Sequence, residues 1–300
     1  MSPERVEAVI LTYNARASVQ RCLAATVSQS MRPASILVVD NASAEPIDDL
    51  VAAYAGARVL RLADNIGPAG GYASGLTTFL DSDCDWAWVM DDDCVPAPDA
   101  LEQLLATASP RRLTLSAMLN RDTGKREDTQ GWCSVLISRE IVETVGVPRE
   151  DLFWWAEDTE YLQWRIPAAG FETERCERAV VEVSRGRADA TKPPWKYFYE
   201  ARNQVWFRLY VQHPEGAIPE LPHLRKRIRI QRAARAVVTL ATRAVVRERA
   251  QRPTKLWMVV RGTFDGVRGR LGRTVDPDEP DRPVTGAPDR PPKSSQRRTK

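Results

Sequence analysis

Residues 86–93 read Trp86-Ala87-Trp88-Val89-Met90-Asp91-Asp92-Asp93, and this stretch decides how the chain is read. A short apolar run closed by a polar break predicts a buried strand. Three carboxylates then arrive together where the strand ends. Like charges held that close repel, and burial strips each of hydration. A chain keeps such a cluster when a hard cation sits among the oxygens. Mg²⁺ or Mn²⁺ accepts one or two protein carboxylates and completes its shell with substrate phosphate and water. A solvated acidic turn gives the same triplet. The buried strand before it, and Pro96 and Pro98 after it, favour a ligand site, because open α/β sheets bind ligands at the carboxyl ends of their strands.

Working outward, Val6–Tyr13 and Ile36–Asp40 are nearly continuous β-branched runs. Such runs predict strands of a parallel sheet covered on both faces. Ala17–Gln29 has helical spacing at Val19, Cys22, Leu23 and Val27, and Arg58–Leu62 predicts a third strand. Asn65-Ile66-Gly67-Pro68-Ala69-Gly70-Gly71 reads as a turn-rich loop opening a helix at about Tyr72–Leu80. Strand–helix–strand alternation predicts a doubly wound α/β core. Further on, Trp132–Ser138 and Glu172–Val183 predict strands, and Arg139–Val145 a short helix. A further helix is expected from Glu157 to about Ala168, and an aromatic one over Tyr197–Val211. Pro214, Pro219 and Pro222 mark a linker. No internal repeat is present.

The net charge of +3 hides an asymmetry. Residues 224–273 hold 15 Lys/Arg against two acids, Glu248 and Asp265, a net of +13. Residues 1–223 carry a net of −11 and 274–300 a net of +1. An acidic body with a basic helical appendage implies different jobs for the two. The expected division is a catalytic domain over 1–215, a basic helical segment over 216–273 and a disordered tail over 274–300. Five scattered cysteines with no CxxC pair argue against zinc and a disulfide framework, and fit a cytosol. The start, Met1-Ser2-Pro3-Glu4-Arg5, shows no secretory leader, and no run of about 20 apolar residues predicts a membrane span.

The motifs fall in a fixed order. One strand ends in Thr12-Tyr13-Asn14 and another in Asp40-Asn41-Ala42-Ser43. Asn65-x-Gly67-x-x-Gly70-Gly71, the Asp91–Asp93 triplet, Glu157-Asp158-x-Glu160 and Arg202-Asn203 follow. Each is weak alone. Together, over about residues 5–212, they resemble the family 2 glycosyltransferases, inverting enzymes of the GT-A fold, and most of all their bacterial rhamnosyl- and galactofuranosyltransferase branch. The resemblance implies a mixed sheet flanked by helices and a nucleotide-sugar donor, UDP-galactofuranose or dTDP-rhamnose. It also implies a glycan or polyprenyl-linked acceptor, and a role in cell-wall polysaccharide synthesis.

Roles follow from chemistry and resemblance together. Thr12, Asn14, Asp40, Asn65, Gly67, Asp91 and Asp92 are the expected donor-binding residues. The resemblance gives Asp40 the N3–H of a uracil or thymine ring; capping the segment after Asn41 is its structural alternative. Glycine lets the Asn65–Gly71 backbone approach a phosphate or ribose, although a plain tight turn has the same composition. Asp91 and Asp93 match the family's metal-binding DxD, with Asp92 supporting the loop or touching donor sugar. Asp158 is the candidate general base, taking a proton from the acceptor hydroxyl as that oxygen attacks the anomeric carbon. Glu157 and Glu160 compete for this role, and the acidic residues also suit a helix N-terminus. Trp154 and Trp155 stack on sugar or pack a core. Arg165 pairs with a carboxylate or contacts acceptor.

One departure stands out. Many relatives complete the metal site with a histidine after the late strand, whereas this chain has only His213 and His223, in the Pro-rich linker. Glu182 or Ser184 could replace it, or Arg185 and Arg187 could hold the diphosphate. Two other classes stay open: a nucleotidyltransferase, for which Asn14-Ala15-Arg16-Ala17 lacks the usual glycine-rich basic loop, and a non-catalytic scaffold binding sugar nucleotide or membrane. The basic segment has an apolar stripe at Ile228, Ile230, Val237, Val238, Ala241 and Val245. That pattern fits a helix on an anionic membrane surface better than a nucleic-acid site, and packing of the stripe is the alternative. The expected location is cytoplasmic, peripheral on the inner face of the cell membrane, with no nucleic-acid partner.

Overall fold

The computed structural model describes residues 4–128, 131–184, 191–211, 225–248 and 250–277. They form two compact units. The first holds the described residues up to 150 together with 157–184; the second holds 151–156 and those from 191 onward. The expected boundary near 215, both histidines, the linker prolines, Arg185 and Arg187 lie outside the described residues. So does the tail from 278.

The first unit begins β1 (Val6–Thr12), α1 (Arg16–Val27), β2 (Ser35–Asp40), α2 (Asp48–Ala52), β3 (Ala57–Arg61), α3 (Gly67–Leu80) and β4 (Trp86–Asp91). It continues β5 (Cys94–Pro96), α4 (Ala100–Thr107), β6 (Arg112–Asn120), β7 (Arg126–Glu127), β8 (Val135–Ser138) and α5 (Arg139–Val145). A π-helical turn over Thr159–Arg165 runs into α6 (Ile166–Ala168), and β9 (Glu172–Val183) closes the unit. Among the described residues nine strands form one sheet, in the order β3-β2-β1-β4-β8-β6-β9-β5, with β7 on β6. The first four are mutually parallel, β8 runs antiparallel to β4 and β6, and β9 is again parallel to β6.

The pattern of β1 explains the layers. Val6, Ala8 and Ile10 point to one side, with Val19, Cys22, Leu23 and Leu104 of α1 and α4. Val9 and Leu11 point to the other, with Tyr72, Leu76 and Phe79 of α3 and Ile141 of α5. Each strand residue is buried by a helix on its own face, which is why the central strands read as continuous apolar runs. The expected mixed sheet between helices is therefore the architecture found.

Two boundaries differ from expectation. The helix after the glycine motif starts at Gly67, not near Tyr72. Gly67 supplies a left-handed φ of +75° at its start, and Pro68 fits the first turn. Gly70, Gly71 and Gly75 sit inside the helix. A Cβ on Gly71 would collide with Leu11, and one on Gly75 would lie 2.8 Å from Val9 Cγ1. Gly71 and Gly75 let α3 press onto β1, a role that a loop reading does not foresee, whereas Gly70 makes room for Ile66. The strand expected from Trp132 begins at Val135, because Ser134 has a φ of +61°. Its far end is as expected: Ser138 Oγ accepts the Ile141 N–H at 3.1 Å and caps α5.

The second unit holds α7 (Pro194–Trp206), extended by a π-turn over Phe207–Val211, α8 (Lys226–Thr242), extended over Arg243–Arg247, and α9 (Arg252–Arg268). Its core gathers Phe153, Tyr197, Phe198, Tyr199, Leu240, Ala244, Met258 and Val259. Gly262 and Gly266 place α9 directly on the α7 backbone; a Cβ at either would strike the Phe198 or Arg202 carbonyl. The expected apolar stripe of α8 is packed only in part: Val237 and Ala241 lie against this core. Arg229, Ala233 and Leu240 are buried, while Ile228, Ile230, Val238 and Val245 stay exposed. Order also continues past 274: Val275 is buried, and Tyr199 Oη donates to its carbonyl at 2.6 Å.

Candidate active site

Parallel register sets the first part of the site. Thr12 pairs with Asp40, and Leu11 with Asp91, so β2, β1 and β4 end side by side. Asp40 is fully buried. Its Oδ2 accepts from Arg61 Nη1 at 2.7 Å and its Oδ1 from the Ser43 N–H at 2.9 Å. Arg61 also holds the Ser43 carbonyl at 2.8 Å. Of the two alternatives for Asp40, the structure shows the cap: it holds the turn after Asn41 from the end of β2. Arg61 escaped the sequence reading. The available signal was its place at the end of β3, opposite Asp40 in register.

The two asparagine loops are tied together. The Asn14 N–H donates to Ser43 Oγ at 2.8 Å, and Asn14 Oδ1 accepts the Ala44 N–H at 2.8 Å. Asn41 Oδ1 accepts the Ile66 N–H at 3.0 Å, and Asn65 Oδ1 accepts the Gly67 N–H at 2.9 Å. Asn41 Nδ2 donates to Asn65 Oδ1 at 3.2 Å. Asn14 and Ala42 take left-handed φ values of +52° and +63°, conformations that cost L-residues energy and are kept where surrounding bonds enforce them.

The aspartate triplet is half-buried. Thr12 Oγ1 donates to Asp92 Oδ2 at 2.6 Å, so Asp92 supports the loop. Tyr72 Oη donates to Asp91, and the Asp91 N–H donates to Trp132 O at 2.9 Å. Tyr72 stacks on Trp132 at 4.3 Å between centroids, and Trp132 on Tyr161 at 5.8 Å. This aromatic wall behind Asp91 was not anticipated. Its one signal was the position of Tyr72 directly after the glycine motif. Burial raises the Asp91 carboxyl well above the carboxylate range; the charges of Asp93, Asp92 and Asp158 raise it further, against the Tyr72 bond. Burial and Asp93 raise Asp92 to about 6.

Asp158 opens the π-helical turn, a distortion frequent at functional sites. Its Oδ1 accepts the Thr159 N–H at 2.6 Å and Thr159 Oγ1 at 3.2 Å. Burial raises its carboxyl above the ordinary value in spite of these bonds. Glu157 and Glu160 are buried. Glu160 is gripped by Arg165 through Nε at 3.0 Å and Nη2 at 2.6 Å, and Arg165 Nη1 also donates to Val147 O at 2.8 Å. Arg165 is therefore engaged with a carboxylate and a carbonyl.

In the second unit, residues 151–156 are held from within. Asn203 Nδ2 donates to the carbonyls of Leu152, Trp154 and Trp155 at 2.9, 2.9 and 2.7 Å. Arg202, fully buried, donates from Nη2 to Leu152 O at 2.8 Å, and burial lowers its guanidinium to about 10. Phe153, Trp155 and Ala156 take φ values of +59°, +73° and +72°. Trp154 packs edge-on to Trp195 at 5.4 Å, with Lys192 and Lys196 over its ring. Arg202-Asn203 thus fixes the strained segment that leads into Glu157-Asp158, a task invisible in sequence because the partners are carbonyls some fifty residues away.

Among the described residues, no group of three or more His, Cys, Asp or Glu side chains is arranged to hold a metal. Glu182 pairs with Arg121 at 3.4 Å. The donor chemistry still fits a hard cation. Asp91 and Asp93 supply carboxylate oxygens at one strand end; burial first, then the charges of Asp93 and Asp92, raises Asp91, and a cation would offset the charge part of that shift.

A mixed sheet between two helical layers, with carboxylates at adjacent strand ends, is the GT-A architecture of glycosyltransferases. The chain belongs to glycosyl transferase family 2, whose family model matches residues 7–156. It is a transferase of that family. Galactofuranosyltransferase GlfT1 of Mycolicibacterium smegmatis is 28% identical over 213 residues, covering 58% of this chain and 68% of that protein. The Mycobacterium tuberculosis GlfT1 is 34% identical over 98 residues, and the chain spans only 31% of its length. Among solved structures, a mannosyltransferase of Pyrobaculum calidifontis in complex with GDP-Man and Mn²⁺ gives a TM-score of 0.55 at 17% identity, over 89% of this chain and 88% of that one. Staphylococcus aureus TarS 1–349 in complex with UDP-GlcNAc gives 0.57 at 13% identity, over 88% and 81%. These likenesses establish the fold.

Proposed function

We propose that the chain is an inverting glycosyltransferase taking a sugar from a nucleoside-diphosphate sugar, with UDP-galactofuranose the first candidate and dTDP-rhamnose the second. The acceptor is a hydroxyl of a glycan or lipid-linked glycan of the cell envelope. The observation that carries the reading is geometric: parallel register ends β2, β1 and β4 side by side, so Thr12, Asp40 and Asp91 share one edge and Asp92 and Asp93 follow directly. Burial raises Asp91 and neighbouring carboxylates, Asp158 among them, add to it, which supports a proposed base near the proposed cation site. The GlfT1 relatives support galactofuranose as the sugar.

Asp158 takes the acceptor proton. Its raised carboxyl makes it a stronger base than a solvated aspartate. The acceptor oxygen attacks the anomeric carbon as the diphosphate leaves from the other face, which inverts the configuration. Asp91 and Asp93 would hold Mg²⁺ or Mn²⁺, which would stabilise negative charge on the leaving diphosphate. Thr12 orients Asp92 beside them. Asp40, fixed by Arg61 and Ser43, keeps a second lone pair on each oxygen and accepts the N3–H of the pyrimidine.

The second unit rests on an anionic membrane surface. Its support is the net +13 of residues 224–273 and the exposed Trp257 and Phe264 of α9. No helix among the described residues is long and apolar enough to cross a membrane.

A panel of UDP-, dTDP- and GDP-sugars, scored by nucleotide release in Mn²⁺, tests the reading. Release from a UDP- or dTDP-sugar is expected. A folded protein that releases nucleotide from none of them contradicts it.

A further inference from the structure

The second unit carries an open groove of about 680 Å³ whose lining comes from α7 and its π-turn, α8 and α9. That size lies within the roughly 300–1,000 Å³ of small-molecule sites. Val205, Leu209, Ala233 and Val237 give it apolar walls. Ile230, Val238 and Val267 also line it and stay 49%, 64% and 51% exposed.

Arg229 is the informative wall residue. It lines the groove yet is only 8% exposed. Its Nη1 donates to Leu209 O at 2.6 Å, and its Nε is buried without a hydrogen-bond partner. Among the described residues no carboxylate pairs with it. A buried guanidinium lacking a counter-charge is costly, and an entering anion would supply one through charge-assisted bonds. Lys226 adds a second positive group to the same lining. Apolar walls ask for hydrocarbon; the charged pair asks for a phosphate.

We propose that this groove binds one hydrocarbon chain of an anionic membrane phospholipid, with the lipid phosphate on Arg229 and Lys226. The site deepens the membrane reading above and rests on it only for the source of the ligand. Charge complementarity selects this occupant over a second copy of the chain, which would set Arg225, Arg227 and Arg232 against their own equivalents.

Calorimetry on the full chain tests the groove without a membrane. Octyl, decyl and dodecyl phosphate below their micelle concentrations are compared with inorganic phosphate and octyl glucoside. Affinity is expected to rise about four-fold per added CH₂, and inorganic phosphate to bind at least 100-fold more weakly than dodecyl phosphate. Ala234→Phe, at an exposed position in the lining, should weaken dodecyl phosphate at least 10-fold without lowering the melting temperature. Arg229→Gln should remove the preference for octyl phosphate over octyl glucoside; if that variant fails to fold, Ala234→Phe decides. Affinity independent of chain length, or wild-type binding by Ala234→Phe, overturns the proposal. So does binding to phosphatidylglycerol vesicles that Ala234→Phe leaves unchanged, since the basic surface alone would then make the contact. Nucleotide release is scored separately, so a failed groove and a failed sugar-transfer reading look different.

Discussion

Asn203→Ala probes the segment 151–156 that precedes the proposed base Asp158 in the chain. The Asn203 amide has two N–H donors and serves three carbonyls, those of Leu152, Trp154 and Trp155. Leu152 O keeps Arg202 Nη2 at 2.8 Å, so the substitution orphans two acceptors. A buried acceptor left without a partner costs about 1–3 kcal/mol. The two tryptophan carbonyls are only part-buried, which places the sum in the lower half, about 2–4 kcal/mol. The same carbonyl bonds restrain the left-handed φ values of Phe153, Trp155 and Ala156, each a conformation costing about 1–2 kcal/mol in an L-residue. Without Asn203 the segment relaxes, and Glu157 and Asp158 follow it directly in the chain. At about 2–4 °C per kcal/mol, the melting temperature should fall by roughly 4–16 °C. Limited proteolysis should open a new cut between residues 152 and 157, and sugar transfer should fall more than donor affinity. A variant with unchanged melting temperature and no new cut would refute the claim that Asn203 holds this segment.

The other expectations are compact. In metal-free buffer, the folded state binds the Asp92 proton more tightly than the unfolded chain, because its carboxyl is raised to about 6. Stability tied to Asp92 is thus present below about pH 4 and lost as pH rises through about 6. Asp92→Asn should be more stable than wild type by about 1–3 kcal/mol at pH 8, with the gain gone at pH 4; an equal gain at both pH values rejects this. Asp93→Ala should abolish the Mn²⁺-dependent part of UDP binding measured by calorimetry, and identical binding by both proteins removes Asp93 from the metal site. With Asp158 as the proposed base, the rate should climb with pH along an acid limb lying above the ordinary aspartate value of about 3.9, because burial raises this carboxyl. A rate flat from pH 4 to 8 speaks against a carboxylate base with a raised pKa.

The sheet was legible because continuous apolar strands and their terminal polar residues carry local signals. β1, β2 and β4 end where the runs end, and the motif residues Thr12, Asp40 and Asp91 fall on one edge. What stayed hidden depends on register or on the backbone. Arg61 meets Asp40 only because β3 pairs with β2. Gly70 and Gly71 read as loop because composition cannot separate a turn from a helix that must approach a strand. The packed face of α8 runs through Arg229, which a polarity pattern assigns to water. α9 does not stand out within the basic segment, because its contact face mixes Met258 and Val259 with Gly262, Gly266 and a buried Lys255.

The central claim is that Asp158 is the base of a sugar transfer. The most direct measurement is the transfer rate of Asp158→Asn beside wild type, at saturating donor and with donor affinity measured on the same samples. The substitution keeps the side chain's shape and removes its proton acceptor. A fall of roughly 10²–10⁴-fold at unchanged donor affinity is predicted, the usual worth of general-base catalysis. Transfer at the wild-type rate, with Glu157→Gln inactive instead, would contradict the account.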